Sequence, residues 1–210
     1  EMWKGLAGYS VSGHKIHGPK GIGLLVYDSK LDLNPQMHGG KQQFGVRSGT
    51  LPLPLILGLE TAIKNAVEQT EQTQNHLQSL CRYLSHGLQA MKDQVPELDI
   101  RFNSLVDAGV TRQSPGIVNF SFTPVEGEII LHHLEAKNIF VGLGSACSAQ
   151  SKKPSKILMG IGLSEEQARC SLRISFSRNN TIEEIDQFLE AFGDAYQSLY
   201  PTFSQKAGHQ

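Results

Sequence analysis

Residues 57 to 94, "LGLETAIKNAVEQTEQTQNHLQSLCRYLSHGLQAMKDQ", contain no proline, and their apolar residues recur at helical spacing. Leu59, Ala62, Ile63, Ala66 and Val67 form one stripe, and Leu77, Leu80, Cys81, Leu84, Leu88 and Met91 form the next. The pattern predicts one long amphipathic helix, or two with a break in the Gln-rich middle, stopping before Pro96. It joins two domains, expected at 1–70 and 71–210.

Ahead of it lies α/β material. "GIGLLVY" (21–27) is a short apolar run bounded by Gly and Asp, which predicts a buried strand. Beyond it, "LDIRFN" and "GIVNFSF" alternate like half-buried strands, "EGEIILHHLEAKN" reads as an amphipathic helix, and "ARCSLRISFS" as a further strand. Ser164 with Gln167 and Thr181 with Glu184 have the spacing of capping boxes. A last helix is predicted over 181–199, stopped by Pro201, with "TFSQKAGHQ" as a frayed tail. The class is α/β.

Charge excludes some functions. The 210 residues carry a net charge of -1, which gives no global attraction to nucleic acid or an anionic membrane. No apolar run approaches the roughly 18 residues that span a bilayer. Three cysteines, Cys81, Cys147 and Cys170, are too few and too scattered for a disulfide framework, which fits a reducing cytoplasm. The chain opens at Glu1 in structured-looking sequence and reads as a piece of a longer protein.

Four stretches carry possible chemistry. In "VSGHKIHGPKGIG" (11–23), Lys15 follows a histidine and Lys20 follows a proline. A phosphate loop needs Ser or Thr after its Gly-Lys, and none is present. Two readings stay open: a basic turn after a strand, or an imine-forming lysine with Ser12 and His14 as donors to a phosphate. "RSGTLPLP" (47–54) sets Arg47, Ser48 and Thr50 beside Gly49, where backbone N–H groups and a hydroxyl can hold an anion; an ordinary loop before a helix is the alternative.

"VGLGSACSAQSKKPS" (141–155) places Cys147 among Gly, Ser and Ala, with Lys152 and Lys153 close behind. An exposed, electropositive loop favours a reactive thiolate. Cys81, on a helical apolar stripe, and Cys170, before a strand, read as structural. Arg173 sits inside the apolar "SLRISFSR" and needs an anion there, either a ligand carboxylate or a nearby glutamate. No Cys/His spacing matches a metal site, and the adjacent His132 and His133 belong at the solvent edge of their helix.

In this order and spacing, "SGHKIHGPKGIG", "RSGTLP", "GSACS" and "LRISFSR" resemble the NifS/IscS-type cysteine desulfurases of the class V aminotransferase family, over roughly residues 8 to 195. The resemblance implies a pyridoxal 5'-phosphate-dependent transferase of fold type I, the aspartate aminotransferase-like fold. Residues 1–70 would be the end of the large cofactor-binding domain, and 71–210 the α+β small domain with the catalytic cysteine loop. It implies Lys15 as the lysine that bonds the cofactor, Ser12 and His14 as phosphate ligands, and Thr50 as a phosphate ligand of the other subunit in a homodimer. It implies Cys147 as the nucleophile that leaves the reaction as a persulfide, and Arg173 as the residue that holds the carboxylate of L-cysteine. The products would be L-alanine and sulfur for an acceptor, an iron–sulfur scaffold protein or a tRNA-thiolation enzyme. A persulfide on Cys147 would meet a cluster only on such a scaffold; the chain itself is expected to hold no metal, nucleic acid or membrane.

"GGKQQFGVRSGT" departs from the family's glycine-rich, Glu-containing run at Lys41, Gln43 and Phe44. The family's remaining cofactor ligands lie upstream of the aldehyde-binding lysine, and this chain starts 14 residues before Lys15. The chain alone is therefore expected to bind cofactor poorly and turn over little. Two other classes remain: a selenocysteine lyase or other class V enzyme, and a non-enzymatic sulfur-carrier or docking fragment that keeps Cys147 reactive without a cofactor on Lys15.

Overall fold

The computed structural model describes residues 5–104, 114, 116–143 and 154–207. They divide into two compact units, Glu1–Thr70 and Glu71–Gln210.

In the first unit, β1 (Gly8–Ser12) pairs antiparallel with β2 (Gly23–Tyr27), Gly8 opposite Tyr27 and Ser12 opposite Gly23. A short 3-10 turn, Gly13–Ile16, follows β1. Helix α1 (Leu53–Glu68) starts behind Pro52, with a second proline in its first turn, and buries Leu59 and Ala62. The apolar run 21–27 does form a strand, but not a buried one: Leu25 is 53% and Val26 41% exposed. An apolar strand is buried only when both faces are covered. Here β2 has one partner strand, and nothing among the described residues covers these two side chains.

In the second unit, α2 (Thr70–Gln94), entering from the unit boundary, takes up the second apolar stripe. The helical stretch breaks at Gln69, whose N–H caps α1 on Asn65 O, so two helices form. Strands β3 (Asp99–Phe102), β4 (Ile117–Thr123) and β5 (Ser171–Ser175) make an antiparallel sheet in that order. Helices α3 (Gly127–Ala136), α4 (Lys156–Gly160) and α5 (Glu165–Arg169) precede β5, and α6 (Ile182–Ala207) follows it.

The sheet has two unlike faces, because side chains alternate along a strand. Ile100, Val118, Phe120, Phe122, Leu172 and Ile174 face the core, with Leu80, Leu84 and Leu88 of α2 and Phe188 and Phe192 of α6. Phe122 meets Phe192 edge-on with ring centres 5.1 Å apart, and Phe120 meets it at 5.6 Å, favourable geometry for aromatic quadrupoles. Arg101, Asn103, Asn119, Ser121, Ser171 and Arg173 fall on the opposite face. There Ser121 Oγ donates to Gln167 O and Ser171 Oγ to Ala168 O, tying the face to α5. These bonds let β4 be buried on both faces, whereas its alternation predicts a half-buried strand.

Both capping boxes form. Ser164 and Gln167 exchange reciprocal bonds, as do Thr181 and Glu184. The last helix does not stop at Pro201 but runs through it to Ala207. Proline removes one backbone bond and crowds the preceding turn. Against that cost, Leu199, Tyr200 and Phe203 pack on the core, and Tyr200 lies 5.7 Å from Tyr196.

Candidate functional site

β1 delivers Ser12 to the turn that carries His14 and Lys15. The turn is locked from behind: Gly13 N–H donates to Ile22 O, and Gly18 N–H to Gly13 O, both at 2.9 Å. A Cβ on Gly13 would lie 2.9 Å from Ile22 O and 3.2 Å from Leu59 Cδ1, so only glycine lets the turn close onto α1. His17 closes the turn in the left-handed region (φ 62°). With its backbone fixed, the turn projects Ser12, His14 and Lys15 outward; all three are exposed, and their side chains form no hydrogen bond or ion pair among the described residues. A free amine beside a free hydroxyl and a free imidazole suits an imine-forming lysine next to a phosphate.

The loop ahead of α1 is more self-contained than its sequence predicts. Ser48 is buried and donates to Met37 O at 2.9 Å; Arg47 Nη1 donates to Ser48 O at 2.7 Å. Gly49 N–H donates to Gln42 Oε1 at 3.2 Å. The Ser48 hydroxyl and the Gly49 amide are thus engaged within the loop rather than offered to an anion, and Arg47 uses one of its five donors there. Thr50 keeps an exposed hydroxyl with no partner among the described residues. Before it, Gln43 and Phe44 both take left-handed backbone (φ 50° and 58°), and Phe44 is 98% exposed. Lys41 is exposed beside them.

In the second unit Arg173 is the centre of interest. It lies mid-β5 opposite Asn119 of β4. On its other edge it bridges Gly142: Arg173 N–H donates to Gly142 O at 2.7 Å and Gly142 N–H to Arg173 O at 3.0 Å. Arg173 Nε is buried with no hydrogen-bond partner among the described residues, and no carboxylate pairs with the side chain there. The neighbouring amides are engaged with one another. Asn103 Nδ2 donates to Asn119 Oδ1 and to Ser121 Oγ, both at 2.8 Å, and Asn119 Nδ2 donates to Leu172 O at 2.9 Å. A buried guanidinium nitrogen without an acceptor is costly, and a carboxylate ligand would supply one. Of the two readings of Arg173 left open by sequence, the glutamate pair is not formed among the described residues. Gly142 was hidden in the sequence inside a glycine-rich segment, with nothing to separate it from its neighbours; Asn119 was hidden by an apolar strand pattern.

Cys147, Lys152 and Lys153 lie outside the described residues. Cys81 and Cys170 are buried. Burial, with lesser contributions from Glu166 and Glu126, pushes the Cys170 thiol up to about 12; burial also raises that of Cys81. Both are inert at neutral pH. His132 and His133 are exposed on α3, and His132 Nδ1 lies 3.0 Å from Glu135 Oε2. Among the described residues, no three His, Cys, Asp or Glu side chains group as a metal site.

The model of the aminotransferase class-V family matches residues 6–188. A cysteine desulfurase IscS of Pseudoalteromonas translucida is 40% identical over 183 residues, covering 86% of this chain and 42% of that protein. One of Clostridium botulinum is 39% identical over 181 residues, 86% of this chain and 44% of that protein. The chain thus spans less than half the length of these relatives. Among solved structures, a NifS-like protein superposes with a TM-score of 0.79 at 27% identity over 93% of this chain and 47% of the other. SspA in complex with cysteine gives 0.55 at 30% identity, over 84% and 45%.

Proposed function

We propose that this chain, which belongs to the aminotransferase class-V family, is the C-terminal part of a cysteine desulfurase. The observation that carries the reading is the buried Nε of Arg173, on the polar face of the second unit's sheet, which has no partner among the described residues. The fold is fold type I of the pyridoxal 5'-phosphate-dependent transferases. The first unit would be the end of a larger cofactor domain; an upstream segment of that domain would cover Leu25 and Val26. The second would be the small domain.

The residues of the Gly13 turn fit pyridoxal 5'-phosphate. Lys15 would bond its carbonyl carbon, Ser12 and His14 would hold its phosphate, and Thr50 would reach the phosphate bound by a second copy in a homodimer. When bound, this cofactor supplies an electron sink for the bonds at the substrate's α-carbon. The guanidinium fork of Arg173 holds the carboxylate of L-cysteine. The Lys15 amine would take and return protons at the substrate carbon. The Cys147 thiolate attacks the substrate sulfur; the new S–S bond forms as C–S breaks, and a proton completes the carbon. Overall, L-cysteine and the Cys147 thiol give L-alanine and a Cys147 persulfide. The persulfide then passes its outer sulfur to an iron–sulfur scaffold or tRNA-thiolation enzyme in the cytoplasm. Among the described residues no helix is long and apolar enough to cross a membrane.

The test is to load the full-length protein with pyridoxal 5'-phosphate, reduce it with borohydride, map the labelled peptide, and measure L-alanine released from L-cysteine. Label on Lys15 but not Lys20, with alanine produced, is the expected result, and the 210-residue chain alone should label weakly. Label scattered over surface lysines, with no alanine, would leave a carrier role for Cys147 in place of catalysis. Faster turnover of selenocysteine would move the assignment to a lyase.

A further inference from the structure

Gly142 bonds to Arg173 in both directions through the backbone, at 2.7 and 3.0 Å. Its backbone is not in the left-handed region, so conformation does not demand glycine there. Space does. A Cβ on residue 142 would sit 3.0 Å from Arg173 Nη2 and 3.4 Å from both Cζ and Nε. The guanidinium therefore lies against the bare face of Gly142. On its other flank, the Asn119 side chain is committed to Asn103 and Leu172 O. Arg173 Nε stays buried without an acceptor among the described residues.

We propose that Gly142 is a positioning residue: the space left by its missing side chain sets where the Arg173 fork lies, and so sets the preference for α-amino acids over amines that lack a carboxylate. This rests on the desulfurase reading of the site. The paired backbone bonds hold residue 142 against β5, so an added side chain cannot retreat. The far end of the arginine is the part free to move. A side chain at 142 then displaces the fork and leaves the strand bridge standing. Position 142 acts on substrate only through Arg173.

The experiment uses the full-length, cofactor-loaded protein and titration calorimetry with L-alanine, which carries the carboxylate but no sulfur. Ethylamine, which lacks the carboxylate, is the control. In Gly142→Val the Kd for L-alanine is expected to rise about tenfold, the scale of one charge-assisted hydrogen bond. Gly142→Ala should show a smaller rise in the same direction. Ethylamine binding and the melting temperature should stay as in the parent. In an Arg173→Ala background, Gly142→Val should add nothing, because the two act through one group. An equal loss in that background, or an equal loss for ethylamine, overturns the proposal while leaving the desulfurase reading intact. If Gly142→Val does not fold, Gly142→Ala alone decides by the same criteria. A parent that binds no L-alanine removes the desulfurase reading itself, and this inference with it.

Discussion

Asn103 Nδ2 reaches across from the end of β3 to Asn119 Oδ1 at 2.8 Å, while Asn119 Nδ2 holds Leu172 O in β5 at 2.9 Å. Two amide side chains thereby stitch all three strands together on the face opposite the aromatic core. Asn119 is 9% exposed, so its removal strands buried partners rather than exposing them to water. Asn119→Ala should destabilise the second unit by about 2 kcal/mol, the cost of leaving such groups unmade. Urea unfolding should show a lower midpoint with an unchanged slope; an unchanged midpoint would mean water replaces both bonds.

Gly13→Ala tests the turn that presents Lys15. The new methyl would meet Ile22 O at 2.9 Å and Pro19 O at 3.2 Å, both backbone atoms that cannot swing aside. The turn must lift from α1, at a cost of about 1–3 kcal/mol. Cofactor uptake by the full-length protein, followed by its visible absorbance, should fall, whereas Lys20→Ala should leave it unchanged.

The two buried thiols give a pH signature. Burial pushes the Cys170 thiol up to about 12 in the folded chain, against about 8.5 for a free thiol. A raised folded value means that the unfolded chain ionises first. The stabilisation is therefore complete below about 8.5 and is lost as pH climbs towards 12. Melting curves from pH 8 to 11 should fall less steeply for Cys170→Ala than for the parent. At pH 8, a thiol reagent should modify Cys147 quickly and Cys81 and Cys170 only after denaturation; fast labelling of Cys170 in the native protein would contradict its burial.

Pro201→Ala restores a backbone N–H inside α6. Helix propensity favours alanine over proline by up to about 3 kcal/mol, less the entropy the freed residue regains on unfolding. A net gain of about 1 kcal/mol is expected in thermal unfolding. A loss would show that the proline geometry is what seats Tyr200 and Phe203.

Much of this was legible in the sequence. Period and capping located α2, α3, α5 and α6, because helix signals are local. The sequence set Lys15 on a turn after a strand, and the structure has it exposed on such a turn, Gly13–Ile16. What the sequence hid was decided by distant partners. Leu25 and Val26 look like core, but burial depends on a covering layer that the residues themselves do not encode. Pro201 reads as a stop, and only the packing of Leu199, Tyr200 and Phe203 on the core reverses it. Ser48 looked available to an anion until Met37 O, eleven residues away, claimed its hydroxyl. Asn119 falls on the polar side of the alternation in "GIVNFSF", and that alternation does not encode its buried partners, Asn103 and Leu172 O.

The two-faced sheet also makes β5 sensitive to frame. Leu172 and Ile174 point into the aromatic core, and Arg173 between them points away from it. Inserting or deleting one residue in β5 would leave the composition nearly unchanged, yet it would drive a guanidinium among Phe120, Phe122 and Phe192 and turn a leucine towards Gly142. A substitution in this strand touches one face at a time; a shift in length damages the core and the fork in a single event.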